Sequence, residues 1–207
     1  MDQASKGLYR LMERAGVYER FQRALGARAA RKRFVAEFLR PFPGARILDI
    51  GCGTGSLLDD LPPDVDYAGY DLNPRYIAEA ERRYGSRGRF FEAKVGEQPP
   101  FADSFDLVVA KGVLHHLSDS DAGRLVRDAH GHLREGGCFV TSDPVFHPGQ
   151  STIARFLISR DRGRRVRTPE GYRALLAASF SEIEERLVTD LLTVPYSHFI
   201  LRARKSC

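Results

Sequence analysis

Three glycines, Gly51, Gly53 and Gly55, stand at alternate positions after the apolar run Ile47–Ile50. The apolar run is typical of a buried strand, and the glycines are typical of a tight turn that leads into a helix. Because glycine has no Cβ, such a turn lets a ligand lie directly against the backbone. The helix behind the turn offers free N–H groups. The stretch therefore predicts a binding loop for a nucleotide-like ligand.

An acidic residue, Asp71, ends the next apolar run, which covers residues 67–70. A carboxylate at the tip of the second strand of a βαβ unit can accept hydrogen bonds from ribose hydroxyls. A dinucleotide fingerprint G-x-G-x-x-G counted from Gly51 needs a glycine at position 56, where this chain has Ser56. The pattern therefore argues against a nicotinamide cofactor.

Two adjacent histidines, His115 and His116, follow the predicted fourth strand. Imidazole titrates near neutrality and can remove a proton from a reacting group, so both are catalytic candidates. Adjacent side chains need not share a face, so we expect at most one of them in place, and a purely structural role is the alternative. Asp143, His147 and His198 are candidates for the rim of the substrate site. The histidines show no metal-ligand spacing with cysteine or carboxylate, so no metal site is predicted.

A basic stretch between residues 155 and 167 surrounds a single acid, Asp161. Its arginines are Arg155, Arg160, Arg162, Arg164, Arg165 and Arg167. The simplest interpretation is a solvated face. The alternatives are a site for a substrate that carries phosphate or carboxylate, for lipid head groups, or for RNA. Phe156 is the only aromatic residue of the stretch, which argues against base stacking on RNA.

The elements that must position these residues alternate between strands and helices. The expected strands are 47–51, 66–71, 89–95, 105–110 and 138–142, and 180–188 with 197–204 is expected as a closing hairpin. Helices are expected after Asn73-Pro74, over the apolar positions from Ala122 to Leu133, and from Thr168-Pro169 onward. This order predicts a doubly wound parallel α/β sheet whose ligands sit at the carboxyl ends of its strands.

Residues 1–40 read as helical, with one apolar face formed by Phe34, Val35, Phe38 and Leu39. We expect an amphipathic cover for the sheet, and a lid over the ligand site is the alternative. Candidate lid contacts are Tyr9, Tyr18 and the Arg28 to Arg33 cluster.

These motifs together resemble the class I S-adenosylmethionine-dependent methyltransferases. The resembling stretches are residues 49–55, the fourth strand and its sequel at 105–117, the helix-to-strand junction at 133–140, and the closing hairpin. They follow the family's order from about residue 45 to 204. Within the family, the chain most resembles the compact bacterial small-molecule methyltransferases. The resemblance implies a Rossmann-like sheet of seven mostly parallel strands with an antiparallel last strand and helices on both faces.

The same resemblance implies S-adenosyl-L-methionine as cofactor, S-adenosyl-L-homocysteine as product, and a set of contacts. The glycine loop, including Cys52, would line the amino-acid half of the cofactor, and Asp49 would act beneath it on the methionine ammonium. Asp71 would take the ribose hydroxyls, Leu72 would pack on the adenine, and the backbone of Ala110 would meet the ammonium.

One position departs from the family pattern. After strand three the family usually has Gly-Asp-Ala, with the aspartate accepting from the adenine amino group, whereas this chain reads Ala93-Lys94-Val95. Charged lysine has no acceptor. Adenine recognition at Lys94, Val95 and Gly96 is then expected from backbone atoms, or from a later side chain, Glu97 or Gln98.

Size and composition favour one globular domain. The chain has 207 residues, 43% hydrophobic and 29% charged. We expect a helical lid at 1–40, a cofactor half at 41–143 and a substrate-side segment with the closing hairpin at 144–207. No apolar run approaches a membrane span, and the first residues lack a signal-peptide core. Cys52, Cys138 and Cys207 fit neither a disulfide framework nor a zinc site, which favours a reducing cytoplasm.

The expected reaction is methyl transfer to an oxygen or nitrogen of a small molecule, less favourably to carbon, with an acceptor that can be anionic. The net charge of +5 permits an acidic partner without requiring one. The alternatives are an RNA or protein methyltransferase that uses residues 155–167, and a cofactor-binding protein that does not methylate. The Asn/Asp-Pro-Pro-Tyr/Phe tetrapeptide of exocyclic amino methylases is missing, because residues 110–113 read Ala-Lys-Gly-Val.

Overall fold

The structure, a computed structural model, describes residues 26–97, 104–161 and 163–206. The expectations for the lid residues before Gly26, including Tyr9 and Tyr18, lie outside the described residues, as do Gln98, Arg162 and Cys207.

Seven strands and five α-helices make up the described chain. The strands are β1 Arg46–Ile50, β2 Asp66–Asp71, β3 Gly88–Glu92, β4 Phe105–Lys111, β5 Leu133–Pro144, β6 Glu182–Val188 and β7 His198–Arg204. The α-helices are α1 Ala27–Phe34, α2 Pro74–Tyr84, α3 Asp119–His132, α4 Thr152–Ser159 and α5 Pro169–Ala177. A π-helical turn, Val35–Leu39, continues α1, and short 3₁₀ turns follow β1 at Ser56–Asp59 and β4 at Leu114–His116.

The strands form one sheet in the order β3-β2-β1-β4-β5-β7-β6. Strands β1 to β5 pair in parallel, while β7 is antiparallel to both β5 and β6. The chain runs from β1 outward through β2 to β3, and then returns to the other side of β1 as β4. The strand order therefore reverses between β1 and β4, which is where a doubly wound sheet binds its ligand. The expected fold class is confirmed.

The core lies on both faces of the sheet because alternate residues of each strand point to opposite sides. Ile47 of β1 packs on one face with α1, including the fully buried Phe34. Leu48 and Ile50 pack on the other face with α3 and α5. Phe34, Val35, Leu39 and the partly buried Phe38 bear out the helical apolar face expected for this part of residues 1–40.

Helix starts follow the capping residues that the sequence supplies. The side chains of Asn73, Ser118, Ser151 and Thr168 each accept a hydrogen bond from a first-turn backbone N–H of the following helix. Pro74 and Pro169 stand in the first turns of α2 and α5, where proline needs no N–H donor.

The largest differences from the sequence expectation lie in β3, β5 and the basic stretch. Strand β3 ends at Glu92 rather than near Val95, and β5 runs from Leu133 to Pro144 rather than from Cys138 to Ser142. The basic stretch begins with a helix, α4, that the expectation left out; its cap, Ser151, was the available signal. Gly136 and Gly137 lie inside β5, because the preceding helix already ends at His132.

Candidate active site

The glycine loop is anchored to the neighbouring strand. The N–H groups of Gly51 and Cys52 both donate to the carbonyl of Tyr70, at 2.8 and 3.0 Å. Gly51 adopts φ +72°, and a Cβ built on it would lie 2.7 Å from Cγ2 of Val113. The loop after β1 therefore packs directly on the loop after β4, which requires glycine at position 51.

Gly53 is the loop position that faces open space. It adopts φ +54°, and a Cβ built on it would find no protein atom within 4 Å. A left-handed backbone with free space above it is the arrangement in which a ligand lies against the chain. This part of the loop fits a bound cofactor.

Asp71 lies beside this space and is held by two backbone donors. Its Oδ2 accepts from the N–H of Gly53 at 3.0 Å, and its Oδ1 accepts from the N–H of Asn73 at 2.8 Å. A carboxylate offers about four lone-pair sites, so acceptor capacity remains for ribose hydroxyls. The next residue, Leu72, leaves 67% of its surface exposed, which suits an apolar ligand ring better than water.

Asp49 is buried beneath the loop. The hydroxyl of Tyr67 donates to its Oδ2 at 2.7 Å. Burial raises the pKa of this carboxyl to about 6, although the Tyr67 hydrogen bond and the charge of Lys111 oppose the shift. Asp49 is therefore a buried carboxyl beneath the loop whose charge changes near pH 6.

The Cys52 side chain points away from the ligand space. A Cβ built on Gly69 of β2 would lie 2.8 Å from Cβ of Cys52, so the thiol packs against β2. Burial raises the pKa of this thiol far above its usual range. Cys52 can offer a cofactor its backbone only.

The loop after β3 contains no acidic side chain at the position where the family pattern has one. The Lys94 N–H donates to Oε2 of Glu97 at 3.0 Å, and the Glu97 N–H donates back to the Lys94 carbonyl at 3.0 Å. Lys94 is exposed, and Val95 is partly buried against the core. In the described part of this loop, the Glu97 carboxylate is therefore the acidic group that lies next to Lys94, the residue that replaces the family's aspartate.

The end of β4 brings Ala110 and Lys111 to the switch point. Ala110 is fully buried and pairs with Thr141, so it can offer a cofactor its backbone. Partial removal from water lowers the pKa of Lys111, and the charge of Arg31 lowers it further, while Asp49 and Asp143 oppose the shift. Lys111 was not among the candidate site residues taken from the sequence.

His115 is the centre of a buried polar network. Its Nδ1 lies 2.8 Å from Oδ1 of Asp143, and its backbone N–H donates to the same oxygen at 3.1 Å. On the other edge of the ring, Nε2 lies 3.5 Å from Oδ1 of Asp161. Asp161 in turn accepts from the Tyr196 hydroxyl at 2.5 Å and from the Gly163 N–H at 3.1 Å.

The two carboxylates control the protonation of this network. Burial disfavours the imidazolium of His115, but hydrogen bonds with Asp143 and Asp161 outweigh burial and raise its pKa to about 9. Burial likewise opposes the charge of Asp161, yet His115, Tyr196 and Gly163 hold the pKa of this carboxyl well below its usual range. The ring of His198 lies 4.9 Å from that of Tyr196, and burial lowers the pKa of His198 to about 3.

The other histidine candidates lie apart from this network or at its edge. The exposed ring of His116 lies tilted against that of His115, with an interplanar angle of 38° and centroids 4.1 Å apart. His147 bonds through Nε2 to the hydroxyl of Ser197 at 3.1 Å. Of the two adjacent histidines, His115 is the one that contacts Asp143 and Asp161.

The arginines of the basic stretch have different roles. Arg167 donates to the carbonyls of Leu114 and Leu117, at 2.8 and 3.0 Å, and pairs with Asp119 at 2.7 Å. It therefore clamps the turn that carries His115. Arg164 and Arg165 have exposed side chains. The guanidinium groups of Arg155 and Arg160 lie over the rings of Phe146 and Phe156, at 5.3 and 5.2 Å from the ring centroids.

Sequence reasoning missed Asp161 and Tyr196 as site residues. Asp161 carried one signal, since it is the single acid among the arginines. Tyr196 lies in the short link before β7 and carried none. Across the ranges that the structure describes, no helix is long and apolar enough to cross a membrane, and no three His, Cys, Asp or Glu side chains are grouped to hold a metal ion.

Comparison with known proteins agrees with this architecture. Residues 47–137 match the family described as a methyltransferase domain. The chain is 31% identical over 130 residues to a demethylmenaquinone methyltransferase of Chlorobaculum parvum, which covers 61% of this chain and 50% of that protein. It is 34% identical over 111 residues to a ubiquinone biosynthesis O-methyltransferase of Azorhizobium caulinodans, and this match covers 52% of this chain and 43% of that protein. The chain spans about half the length of these curated relatives.

Two solved structures show how widely the fold is used. Magnesium protoporphyrin IX methyltransferase of Synechocystis PCC 6803, with bound S-adenosylhomocysteine, aligns with a TM-score of 0.69 and 18% identity over 97% of this chain and 100% of that one. A [4+2]-cyclase, SpnF, aligns with a TM-score of 0.66 and 22% identity over 84% of this chain and 80% of that one.

The sheet order, the glycine loop and the acid at the tip of β2 are those of a Rossmann-like α/β protein. Within that class, the chain is similar to the class I S-adenosylmethionine-dependent methyltransferases, since residues 47–137 match the methyltransferase domain family and both curated relatives are methyltransferases.

Proposed function

We propose that this chain transfers the methyl group of S-adenosylmethionine to an oxygen or nitrogen atom of a small molecule. The observation that carries the proposal is the contact between two loops. Gly51 of the glycine loop packs on Val113, two residues before His115. The cofactor half of the site and the buried histidine network therefore adjoin each other at the switch point of the sheet.

The cofactor half would use the residues that the family resemblance implies. The backbone of Gly51, Cys52, Gly53 and Gly55 would cradle the amino-acid half, with Asp49 beneath the methionine ammonium and the Ala110 backbone beside it. Asp71 would hold the ribose. When bound, the cofactor supplies a methyl group on a sulfonium, which needs no covalent nucleophile on the protein.

The adenine side would use Leu72 as an apolar surface and the 94–97 turn as its polar edge. Lys94, Val95 and Gly96 would contribute backbone atoms, and the Glu97 carboxylate is the nearest described acceptor for the adenine amino group. The supporting observation is the hydrogen bond of Glu97 to the Lys94 N–H, which fixes this carboxylate on the turn.

The acceptor half would use His115 as the proton acceptor. Asp143 orients the ring through Nδ1 and stabilises the imidazolium, so the acceptor's proton would move to Nε2. The proton transfer requires neutral His115, whose pKa is raised to about 9 by Asp143 and Asp161 against the effect of burial. The exposed His116 is the weaker catalytic candidate.

The two relatives compared above support a small acceptor. Those described above are named for demethylmenaquinone and for ubiquinone biosynthesis, and a further relative is named for malonyl-acyl carrier protein O-methylation. The role of Arg167 as a clamp weakens the alternative in which the basic stretch binds RNA or protein. The cyclase SpnF favours a second candidate, a protein of this fold whose cofactor pocket serves another reaction.

The test is a labelling assay with S-adenosylmethionine that carries an isotopic methyl group. Purified protein is incubated with the small-molecule, RNA and protein fractions of a bacterial lysate. Label in small molecules, lost in His115→Asn but retained in His116→Asn, supports the proposal. Label in RNA or protein supports the macromolecular alternative. Cofactor binding without label in any fraction favours the second candidate.

A further inference from the structure

Asp161 lies where an acceptor must approach His115. Asp143 takes the Nδ1 edge of the imidazole ring. Gly163 lies against the Cδ2 atom of the ring, because a Cβ built on this glycine would lie 1.7 Å from Cδ2 of His115. The ring of His116 lies against that of His115 in a tilted contact. The same built Cβ would lie 2.8 Å from Nε2, so Gly163, which has no Cβ, leaves room beside this atom, and Nε2 faces Oδ1 of Asp161 at 3.5 Å.

The exposure of these groups ranks them from the core toward solvent. The side chain of Asp143 is 1% exposed and that of His115 is 6% exposed, whereas Asp161 keeps 26%. Asp161 is therefore the member of the pair of carboxylates that a molecule arriving at Nε2 touches first.

Asp161 is oriented from two different segments of the chain. Tyr196, from the link before β7, donates to Oδ2 at 2.5 Å, and the Gly163 N–H donates to Oδ1 at 3.1 Å. Two donors and the neighbouring His115 leave part of the four lone-pair sites of the carboxylate free. A fixed carboxylate with free acceptor capacity is a hydrogen-bond acceptor for a ligand.

Unused polar capacity lies in the same region. Oδ2 of Asp143 and Nδ1 of His198 are buried and have no hydrogen-bond partner among the described residues. His198 adjoins Tyr196, and Asp143 adjoins His115. Buried polar atoms without partners cost stability unless water or a ligand satisfies them.

We propose that Asp161, held by Tyr196, is a binding residue for the acceptor and takes a hydrogen bond from a hydroxyl or amino group next to the methylated atom. His115 Nε2 and Asp161 Oδ1 then receive neighbouring groups of one molecule. The acceptor class is a vicinal diol or amino alcohol, aromatic or alicyclic. The inference rests on the proposed function, because it assigns the second polar group of the same acceptor.

The experiment is calorimetric titration of protein saturated with S-adenosylhomocysteine. Two matched pairs serve as probes: catechol against phenol, and a cyclohexane with two neighbouring hydroxyls against cyclohexanol. We expect at least one diol to bind about tenfold or more tightly than its partner, since a hydrogen bond to a charged group contributes that much. Asp161→Ala removes this preference, and Tyr196→Phe reduces it several-fold.

The control is Asp190→Asn, which changes an exposed aspartate that pairs with Arg33 and should keep the full preference. Retained affinity for S-adenosylhomocysteine and an unchanged melting temperature show that each variant is folded, and Tyr196→Phe carries the test if Asp161→Ala is unstable. Equal binding within both pairs, no binding of either diol, or a preference that survives both substitutions would overturn the inference. Failure of S-adenosylhomocysteine to bind contradicts the proposed function instead, which makes the two failures distinguishable.

Discussion

The carboxylate of Asp71 joins the tip of β2 to the glycine loop, because its Oδ2 accepts the N–H of Gly53 at 3.0 Å. Its other oxygen accepts the N–H of Asn73, the cap of α2. One side chain therefore fixes the loop, the helix start and the exposed Leu72 between them.

Gly53→Ala should weaken cofactor binding with only a modest loss of stability. The new methyl group meets no protein atom within 4 Å, but it fills the space against which the ligand would lie. We expect about tenfold or greater loss of affinity for S-adenosylhomocysteine, the range of overpacking costs, and about 1–2 kcal/mol of backbone strain.

Gly44→Ala is the matched control. Gly44 also has positive φ and no atom within 4 Å of a built Cβ, but it precedes β1, at the opposite end of the strand from the loop. Calorimetry and thermal unfolding of both variants separate the two effects. Equal affinity in Gly53→Ala and Gly44→Ala would show that the ligand does not lie on Gly53.

Cofactor affinity should depend on pH through Asp49. Burial raises the pKa of this carboxyl to about 6, and its charged form is the one that attracts the methionine ammonium. Affinity for S-adenosylhomocysteine is expected to fall by up to about tenfold per pH unit below this value. In Asp49→Asn the dependence should vanish; a slope of the same size in that variant would assign it to another group.

Folding stability should fall with rising pH because of His115. Its folded pKa, about 9, lies above the ordinary value of 6.5, since hydrogen bonds with Asp143 and Asp161 outweigh the effect of burial. The stabilisation is therefore complete below about pH 6.5 and disappears as pH rises through about 9. Its upper limit is about 3 kcal/mol.

Urea unfolding across this pH range measures the effect. His115→Asn should flatten the curve, whereas His116→Asn, a change at the exposed neighbour, should leave its slope as in the wild type. A curve that stays steep in His115→Asn would mean that another group titrates.

Substituting Arg167 with alanine should lower folding stability, whereas the same substitution at Arg164 or Arg165 should not. Arg167→Ala removes two hydrogen bonds to the His115 turn and an ion pair, which should cost about 2 kcal/mol or more, a fall in Tm of roughly 4–8 °C. Arg164→Ala and Arg165→Ala change exposed side chains and should leave Tm within about one degree.

A raised KM in the Arg164→Ala and Arg165→Ala variants would restore the substrate-binding interpretation of the basic stretch, and unchanged kinetics would assign both side chains to a solvated face.

The cofactor half could be predicted from the sequence because its signals are local. Glycines at alternate positions, an apolar run and the acid that ends the next run each fall within one strand and its turn. Asn73-Pro74 and Thr168-Pro169 likewise fix helix starts from neighbouring residues. The strand order follows from the alternation of strands and helices and the handedness of the crossovers.

The acceptor half could not be predicted because its contacts are made across the chain. His115 meets Asp143 from another strand, and Asp161 meets Tyr196 over 35 residues of sequence. Nothing in the spacing of these residues announces that β5, the end of α4 and the link before β7 converge. The arginines drew attention to the stretch, but the acid among them makes the contact with the histidine.

The most direct measurement is calorimetric titration of the protein with S-adenosylmethionine and S-adenosylhomocysteine, repeated on Asp71→Ala and Asp66→Ala. Asp66 stands at the other end of β2, with its carboxylate among exposed arginines. We predict binding of both ligands, large loss in Asp71→Ala and wild-type affinity in Asp66→Ala. No binding of either ligand to folded wild-type protein, or equal affinity in all three proteins, would contradict the assignment of the cofactor site.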